Sequence, residues 1–555
     1  MKELIASIVT AAVARARASG QLVSTLAAPP SIEAPKDPAH GDAASNLAMV
    51  LARAEKKPPL VIAETIRAHL QLPPEIAEAA VAKPGFINFR MAPAYWYREL
   101  RRAAAEGDRF WYPRFGEGKR VQVEFLSANP TGPLTVGHGR NAVLGDTVAR
   151  LFEAAGFNVT REYYFNNGGR QMRLLGESVR ARYLEELGCD ATMPEDGYQG
   201  EYIREIAHSL VERHGESLVT STELELFRAA AEEQIFAEIR RTGERLGISF
   251  DVYTNELDLI REGKVEAVVE GLRARGLIAE YDGAVWLRGE PLGLPKDRVL
   301  VRSGPNREPT YRTPDIAYHI EKLKRGFDRI VDVFGADHIA EHEGVIAAVK
   351  ALGYDTAPIQ VIIYQFVTLT RAGEKVKMST RKATYVTLDE LIDEVGADVA
   401  RFFFLFRKSD SHLDFDIDLA RRQAPENPVF YVQYAHARLA SVFREAERAG
   451  LALPADPSAI DLNLLSEEEL GLVRRLVGFP ALIRDATAAL EPHRIPFFLL
   501  EIAGEFHRYY NKPANRIILA ENRELSIARL FVARSLMEGI RSGLSLLGVN
   551  APDRM

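Results

Sequence analysis

The chain has 555 residues, 47% of them hydrophobic and 26% charged, with a formal net charge of −7 and one cysteine, Cys189. That length exceeds a single core and predicts three or four domains. One cysteine excludes an internal disulfide framework and a thiolate zinc cluster, and the acidic total leaves any nucleic-acid contact to local patches. The first stretch, "MKELIASIVTAAVARARASG", is broken by Glu3, Arg15 and Arg17 and predicts an amphipathic helix rather than a leader. No apolar run reaches membrane-spanning length. Residues 1–105 predict a small α/β domain, in which "KPGFINFRM" (83–91) is a strand. A polar connector over 103–120 follows. From 106 to 420, strand-like runs ("VQVEF", "VTREYYF", "AVWLR", "RIVDVFGAD", "IQVIIYQFV") alternate with helical ones, which predicts a doubly wound parallel sheet. A charged helical insertion is expected at about 175–280, and residues 421–555 predict an all-helical domain.

Two stretches carry the chemistry. "SANPTGPLTVGHGRNAVLGD" (127–146) follows a strand and runs into a helix, and it sets His138 among Pro130, Gly132, Pro133, Gly137 and Gly139. A strand, a glycine-rich turn and a helix N-terminus direct backbone N–H groups at one spot, which suits a phosphate. The second stretch, "RAGEKVKMSTRKATYVTLDEL" (371–391), crowds Lys375, Lys377, Arg381 and Lys382 after an apolar strand. Cations beside a phosphate-binding turn can neutralise a departing pyrophosphate.

As a pair, "TVGH" (135–138) and "KMSTR" (377–381) resemble the two ATP signatures of class I aminoacyl-tRNA synthetases. "VEFLSANPTGPLTVGHGR", "YYFNNGGRQM", "DGAVWLR", "YRTPDIAYHIEKLKRGFD", "GADH", "RFFFLFRKSDSHLDFD", "NPVFYVQYAHAR" and "LGVNAPDRM" follow in the order found in the arginyl-tRNA synthetase family, and "HGDAASNLAM" resembles that family's N-terminal domain. The resemblance spans essentially the full length. The chain departs from it at Thr380, where the second signature usually has a lysine, and more irregularly at Thr135, where the first usually has a histidine. The Thr135 hydroxyl is either a replacement hydrogen-bond donor or a passive substitute.

The resemblance implies residue roles. His138, Lys377, Ser379 and Thr135 would serve catalysis, and Pro130, Gly137, His138, Asp337, His338, Lys377 and Met378 would bind ATP. A guanidinium offers five donors and a permanent charge, so its pocket needs carboxylates. Glu124 and Asp315 are expected to supply them, with Tyr311 one helical turn before Asp315, Ser127 and Asn129 on the substrate's α-groups, and Tyr318 closing the wall. In the helical domain, Tyr431, Tyr434, Arg438, Arg508, Tyr509, Asn511, Lys512 and Arg516 interleave aromatics with cations, a pattern for stacking on unpaired bases while holding phosphates. Asn46 and the loop from Gly41 would touch the tRNA elbow.

The implied activity joins arginine to tRNA(Arg) through an adenylate. ATP with substrate-borne Mg²⁺, L-arginine and tRNA(Arg) are the expected partners, with no protein-bound metal, no membrane, a cytoplasmic location and a monomeric state. The alternatives are a catalytically weak tRNA-binding paralogue, prompted by Thr135, and a class I synthetase for another amino acid.

Overall fold

The computed structural model describes every residue except 27, 34, 36, 222, 305–307 and 377–385. It divides into two compact units, one of residues 1–107, 445–478 and 512–536, the other of residues 108–444, 479–511 and 537–555.

In the first unit the helix Lys2–Ala18 buries Ile5, Val9, Ala12, Val13 and Ala16, the amphipathic spacing of the sequence. Four antiparallel strands, β1 (Ile32–Glu33), β2 (Ala43–Ser45), β3 (Ile76–Ala82) and β4 (Phe86–Met91), pair in the order β1-β2-β4-β3. The single strand expected at 83–91 is therefore half of a hairpin whose turn lies at 83–85. The helices Glu467–Val477 and Arg523–Leu546 contribute Glu469 and Arg529, which form a buried ion pair at 2.7 Å.

The second unit is built on five parallel strands: β5 (Arg120–Glu124), β6 (Asn158–Phe165), β7 (Val252–Asn255), β11 (Arg329–Gly335) and β12 (Ile359–Tyr364), in the order β12-β11-β5-β6-β7. The chain winds one way from β5 to β7 and the other way from β11 to β12, so β5 and β11 meet at the topological switch point. This is the doubly wound α/β fold that the alternation predicts.

Three details differ from the sequence reading. The segment expected as a helical insertion does hold the helices Gly169–Glu186, Glu201–His214 and Leu224–Arg245, but it also carries β7 into the central sheet. "AVWLR" forms β9 (Ala284–Leu287) of a separate antiparallel sheet with β8 (Ile278–Tyr281) and β10 (Arg298–Val301). "IQVIIYQFV" breaks after β12, and β13 (Val367–Arg371) pairs in a third sheet with β14 (Glu374–Lys375) and β15 (Leu413–Asp416). Apolar runs of this length do not specify which sheet they join. In the expected connector, the short helix Asp108–Trp111 buries Phe110 and Trp111. After β15 the described residues form helices, among them Pro428–Arg448 and Arg494–Tyr510.

The helix Val136–Ala154 lies tight against β5. A Cβ on Gly145 would fall 2.2 Å from the Phe125 side chain, so only glycine fits. The same helix carries Asp146, which accepts from the fully buried Arg401 at 2.6 Å and also pairs with Arg150 and Arg161. Arg401 donates further to the carbonyls of Leu547 (2.6 Å) and Leu246 (2.7 Å), tying three distant segments to the site-bearing helix. Burial opposes charge on Asp146, but the arginines outweigh it and hold its pKa below the ordinary value. Removing one partner of such a buried pair leaves the other uncompensated, at a cost of about 3–5 kcal/mol. Asp146→Asn is therefore expected to lower the thermal midpoint by several degrees, measured by circular dichroism, whereas Asp410→Asn on the surface should leave it unchanged.

Candidate active site

The carboxyl ends of β5 and β11 frame the site, where open α/β sheets bind ligands. β5 ends in a strained turn. Leu126 and Ser127 both take positive φ (67° and 42°), unusual for residues with a Cβ. Neighbours clamp it: Asn141 Oδ1 accepts from Leu126 N (2.5 Å), the Tyr163 hydroxyl donates to Ala128 O (2.7 Å), and Tyr202 donates to Thr131 O (2.8 Å).

The turn then enters the helix through Thr135 and His138. The Thr135 N–H donates to His138 Nδ1 at 3.0 Å, and Thr135 Oγ1 lies 3.3 Å from the same nitrogen. Burial pushes the His138 pKa down to about 4. The ring is therefore neutral near pH 7, and a backbone donor on Nδ1 places its one proton on Nε2. His138 thus caps the helix and keeps a fixed donor for a ligand. A Cβ on Gly137 would meet nothing nearer than Thr135 Oγ1 at 3.7 Å, so the chain's own packing does not require this glycine. Pro130 is buried beneath the turn. Asp337 and His338 follow β11 with both side chains 58% exposed.

Lys377, Met378 and Ser379 lie outside the described residues, but the segment that follows them is placed. Leu388 N donates to Leu134 O at 2.8 Å, and Thr135 bridges Thr387. The glycine turn and the end of the lysine-rich stretch, some 250 positions apart, are thus hydrogen-bonded neighbours. Arg140, fully buried, adds bonds from the same helix to the carbonyls of Gln365, Lys408 and Ser411.

A second group lies on the sheet beside the turn. Asp332, Glu124 and Glu162 sit side by side at one register of β11, β5 and β6, and all three are buried. The helix Arg312–Lys324 and its C-cap Arg325 supply their counter-ions. Lys322, with no exposed surface, bonds Glu124 and reaches Asp332 at 2.7 Å; His319 reaches Asp332 at 3.1 Å; Arg325 reaches Glu162 at 2.5 Å. Burial opposes the charge at Asp332, but Lys322 and His319 overcome it and hold the pKa below the usual range. At Glu124 burial wins, and the pKa is raised despite Lys322.

This changes the reading of the expected arginine pocket. Both oxygens of Glu124 are engaged, by Lys322 and by the Ser127 hydroxyl (3.0 Å). Ser127 Oγ also accepts from Tyr164 N at 3.1 Å. Asp315, by contrast, has no side-chain hydrogen bond or ion pair among the described residues, and burial pushes its pKa up to about 6. A further carboxylate that sequence reasoning missed, Glu256 at the end of β7, is 6% exposed. It accepts from the Tyr164 hydroxyl (3.0 Å) and Asn166 Nδ2 (2.7 Å). Burial first, then the Asp315 charge, raises its pKa to about 7. Asn166 N in turn donates to Asn129 Oδ1 at 2.9 Å. Tyr318 is buried and stacks on Tyr164 at 4.3 Å, and its hydroxyl has no hydrogen-bond partner among the described residues. Tyr311 is 52% exposed, and the bond from Asp315 N to its carbonyl (3.2 Å) makes the expected helical turn.

Of the residues expected to touch tRNA, one group clusters. The Arg438 guanidinium lies over the rings of Tyr434 (4.7 Å) and Tyr510 (4.9 Å) and donates to Asn511 Oδ1 (3.1 Å). His507 stacks on Tyr434 and packs on Tyr431 at 4.6 Å. Arg508 is exposed, but Tyr509 is 7% exposed and offers no open ring face. In the other unit Lys512 pairs with Glu468 at 2.9 Å, Arg516 is exposed, and Asn46 stands at the N-cap position of the helix Leu47–Glu55 without a side-chain cap bond, its buried Oδ1 lacking a partner among the described residues. The loop expected between Gly41 and Asn46 is largely the buried strand β2.

Residues 3–91 match "Arginyl tRNA synthetase N terminal domain", residues 101–404 match "tRNA synthetases class I (R), catalytic domain" and residues 432–555 match "DALR anticodon binding domain". The arginine–tRNA ligase of Desulfotalea psychrophila is 50% identical over 95% of this chain and 94% of its own length, and that of Salinibacter ruber is 48% identical over 94% and 95%. The crystal structure of a putative arginyl-tRNA synthetase from Campylobacter jejuni aligns with a TM-score of 0.76 at 31% identity, covering 84% of this chain and all of that one. The Thermus thermophilus arginyl-tRNA synthetase shares the fold over both full lengths at 23% identity and a TM-score of 0.78. The chain belongs to the arginyl-tRNA synthetase family.

Proposed function

We propose that the chain joins arginine to tRNA(Arg) in two steps at the β5–β11 switch point. In the first, a carboxylate oxygen of arginine attacks the α-phosphorus of ATP, the bond to the β-phosphate breaks, and pyrophosphate leaves. In the second, the 2′-hydroxyl of the terminal ribose attacks the arginyl carbonyl, loses its proton and releases AMP. The observation that carries this reading is the hydrogen-bonded meeting of the glycine turn with the end of the lysine-rich stretch, through Leu134 and Leu388.

ATP would lie with adenine against Gly137, ribose near Asp337 and His338, and phosphates beside His138 Nε2–H, Lys377 and Ser379, arriving with Mg²⁺. Among the described residues no cluster of three or more acidic, histidine or cysteine side chains could itself hold a metal. Fixed donors aimed at developing charge are the main catalytic device of such a site.

The guanidinium would be held by Asp315 and Glu256, because among the described residues these two carboxylates have no cationic partner within ion-pair distance. Glu124, already joined to Lys322, would hold Ser127, and Asn166 would hold Asn129, in place for the α-ammonium and α-carboxylate. Two carboxylates can grip a planar fork, which the single ammonium of lysine cannot reproduce. The Tyr434–Arg438–Tyr510 cluster and the exposed Arg508 would meet the anticodon, and the first hundred residues would meet the elbow. Domain boundaries near 105 and 420, a cytoplasmic location and a monomeric state complete the reading; no described helix is long and apolar enough to cross a membrane.

Two substitutions test the pocket and the ATP site. Asp315→Asn removes a charge-assisted contact of about 1.5–3 kcal/mol, so steady-state kinetics should show the arginine KM rising about 10- to 100-fold while citrulline is discriminated less well; an unchanged KM would remove Asp315 from the site. At the turn, the Thr135 N–H survives substitution by valine. Thr135→Val should therefore leave adenylate formation within a few-fold of the parent, whereas His138→Ala should slow it about 10²- to 10³-fold in single-turnover assays. Full activity in His138→Ala would overturn the catalytic role given to His138.

A further inference from the structure

Two arginines stand beside the proposed arginine pocket without an ion pair among the described residues. Arg298 lies on β10, and Arg312 opens the helix that bears Asp315. Their side chains converge over Gly344, where a Cβ would meet Arg312 Nε at 3.6 Å and Arg298 Cγ at 3.9 Å. Neither forms an ion pair among the described residues, and the residues outside that description include no Asp or Glu that could supply one. Arg312 spends one nitrogen on Val299 O at 2.9 Å. The Nε of each is buried with no hydrogen-bond partner among the described residues. Burial lowers the Arg312 pKa, and the Arg298 charge adds to that shift against the opposing pull of Glu341.

Two adjacent unpaired guanidiniums repel each other, and near a pocket for a cationic substrate they would also repel that substrate. Such an arrangement becomes favourable when an anion joins it. Of the reactants, only the tRNA brings a phosphodiester that must come close in the second step. The terminal ribose reacts at the arginyl carbonyl, so the phosphate on its 5′ side arrives within one nucleotide of the pocket. The planar, permanently charged guanidinium is the side chain best matched to a phosphate.

We propose that Arg298 and Arg312 form a clasp for a phosphodiester at the 3′ end of the tRNA. The clasp rests on the arginylation reading, yet the two fail differently. Failure of that reading appears as absence of tRNA charging by the unaltered chain, whereas failure of the clasp appears only in the variants.

The experiment measures equilibrium binding of tRNA(Arg) to the full chain by fluorescence anisotropy across a KCl series, without ATP or arginine. Among the described residues Arg298 has no side-chain hydrogen-bond acceptor, so Arg298→Gln removes charge with little effect on packing; Arg298→Met serves as a second variant should the first fold poorly. Each phosphate contact contributes about one unit to the slope of log K against log salt. The expected result is a several-fold weaker Kd with the slope reduced by about one, restored in Arg298→Lys. On tRNA lacking its last three nucleotides, parent and variant should bind alike. An unchanged slope, an equal loss on the truncated tRNA, or a raised ATP KM with unaltered tRNA binding would each overturn the proposal.

Discussion

Three carboxylates buried at one register of three adjacent strands are the constraint on which this site depends. Asp332, Glu124 and Glu162 would repel one another and resist burial unless cations neutralised them. One helix answers with His319, Lys322 and Arg325, spaced three residues apart so that they share a face. Matching helix to sheet in this way fixes the height and rotation of the helix over β5 and β11. It thereby also fixes Asp315, one turn earlier on the same face. Asp315, unpaired among the described residues, is thus placed by the pairing of its neighbours.

The fold brings two kinds of charge to one edge of the sheet. On the glycine-turn side the groups suit an anion: a neutral histidine with its proton held on Nε2, a helix N-terminus, and the approach of the lysine-rich stretch through Leu388 and Leu134. On the helix side, Asp315 and Glu256 suit a cation. The strained Leu126–Ser127 turn stands between them, held by Asn141, Tyr163 and Tyr164 rather than by its own preference. Strain of this kind persists only where neighbours over-determine the backbone. Here it sets one short loop between a side that suits an anion and a side that suits a cation.

Much of this was legible in the sequence. The alternation of β5, the glycine turn and the helix after it announced themselves locally, as did the helical turn joining Tyr311 to Asp315. What was hidden depended on contacts distant in the chain. Lys322 sits in "HIEKLKRG", which has the composition of a solvated helix face, and only its pairing with two strands reveals it as buried. Glu256 follows a four-residue strand inside a charged helical region, so neither its burial nor its nearness to Asp315 had a local signal. Its one clue was position, at the carboxyl end of a strand. Tyr509 differs for the opposite reason: its place among cations and aromatics suggests a surface platform, but the ring lies in the core.

In the proposed pocket, arginine's guanidinium enters a pair of carboxylates that the empty protein leaves partly protonated. Isothermal titration of arginine into the chain near pH 6.5, in buffers of different ionisation enthalpy, counts the protons exchanged. Burial raises Asp315 to about 6 and Glu256 to about 7, and a bound cation must lower both. Binding should therefore release protons at pH 6.5 and release few at pH 8.5. Heat independent of the buffer at pH 6.5 would contradict the account, because it would mean that the guanidinium is met by groups already ionised or by none.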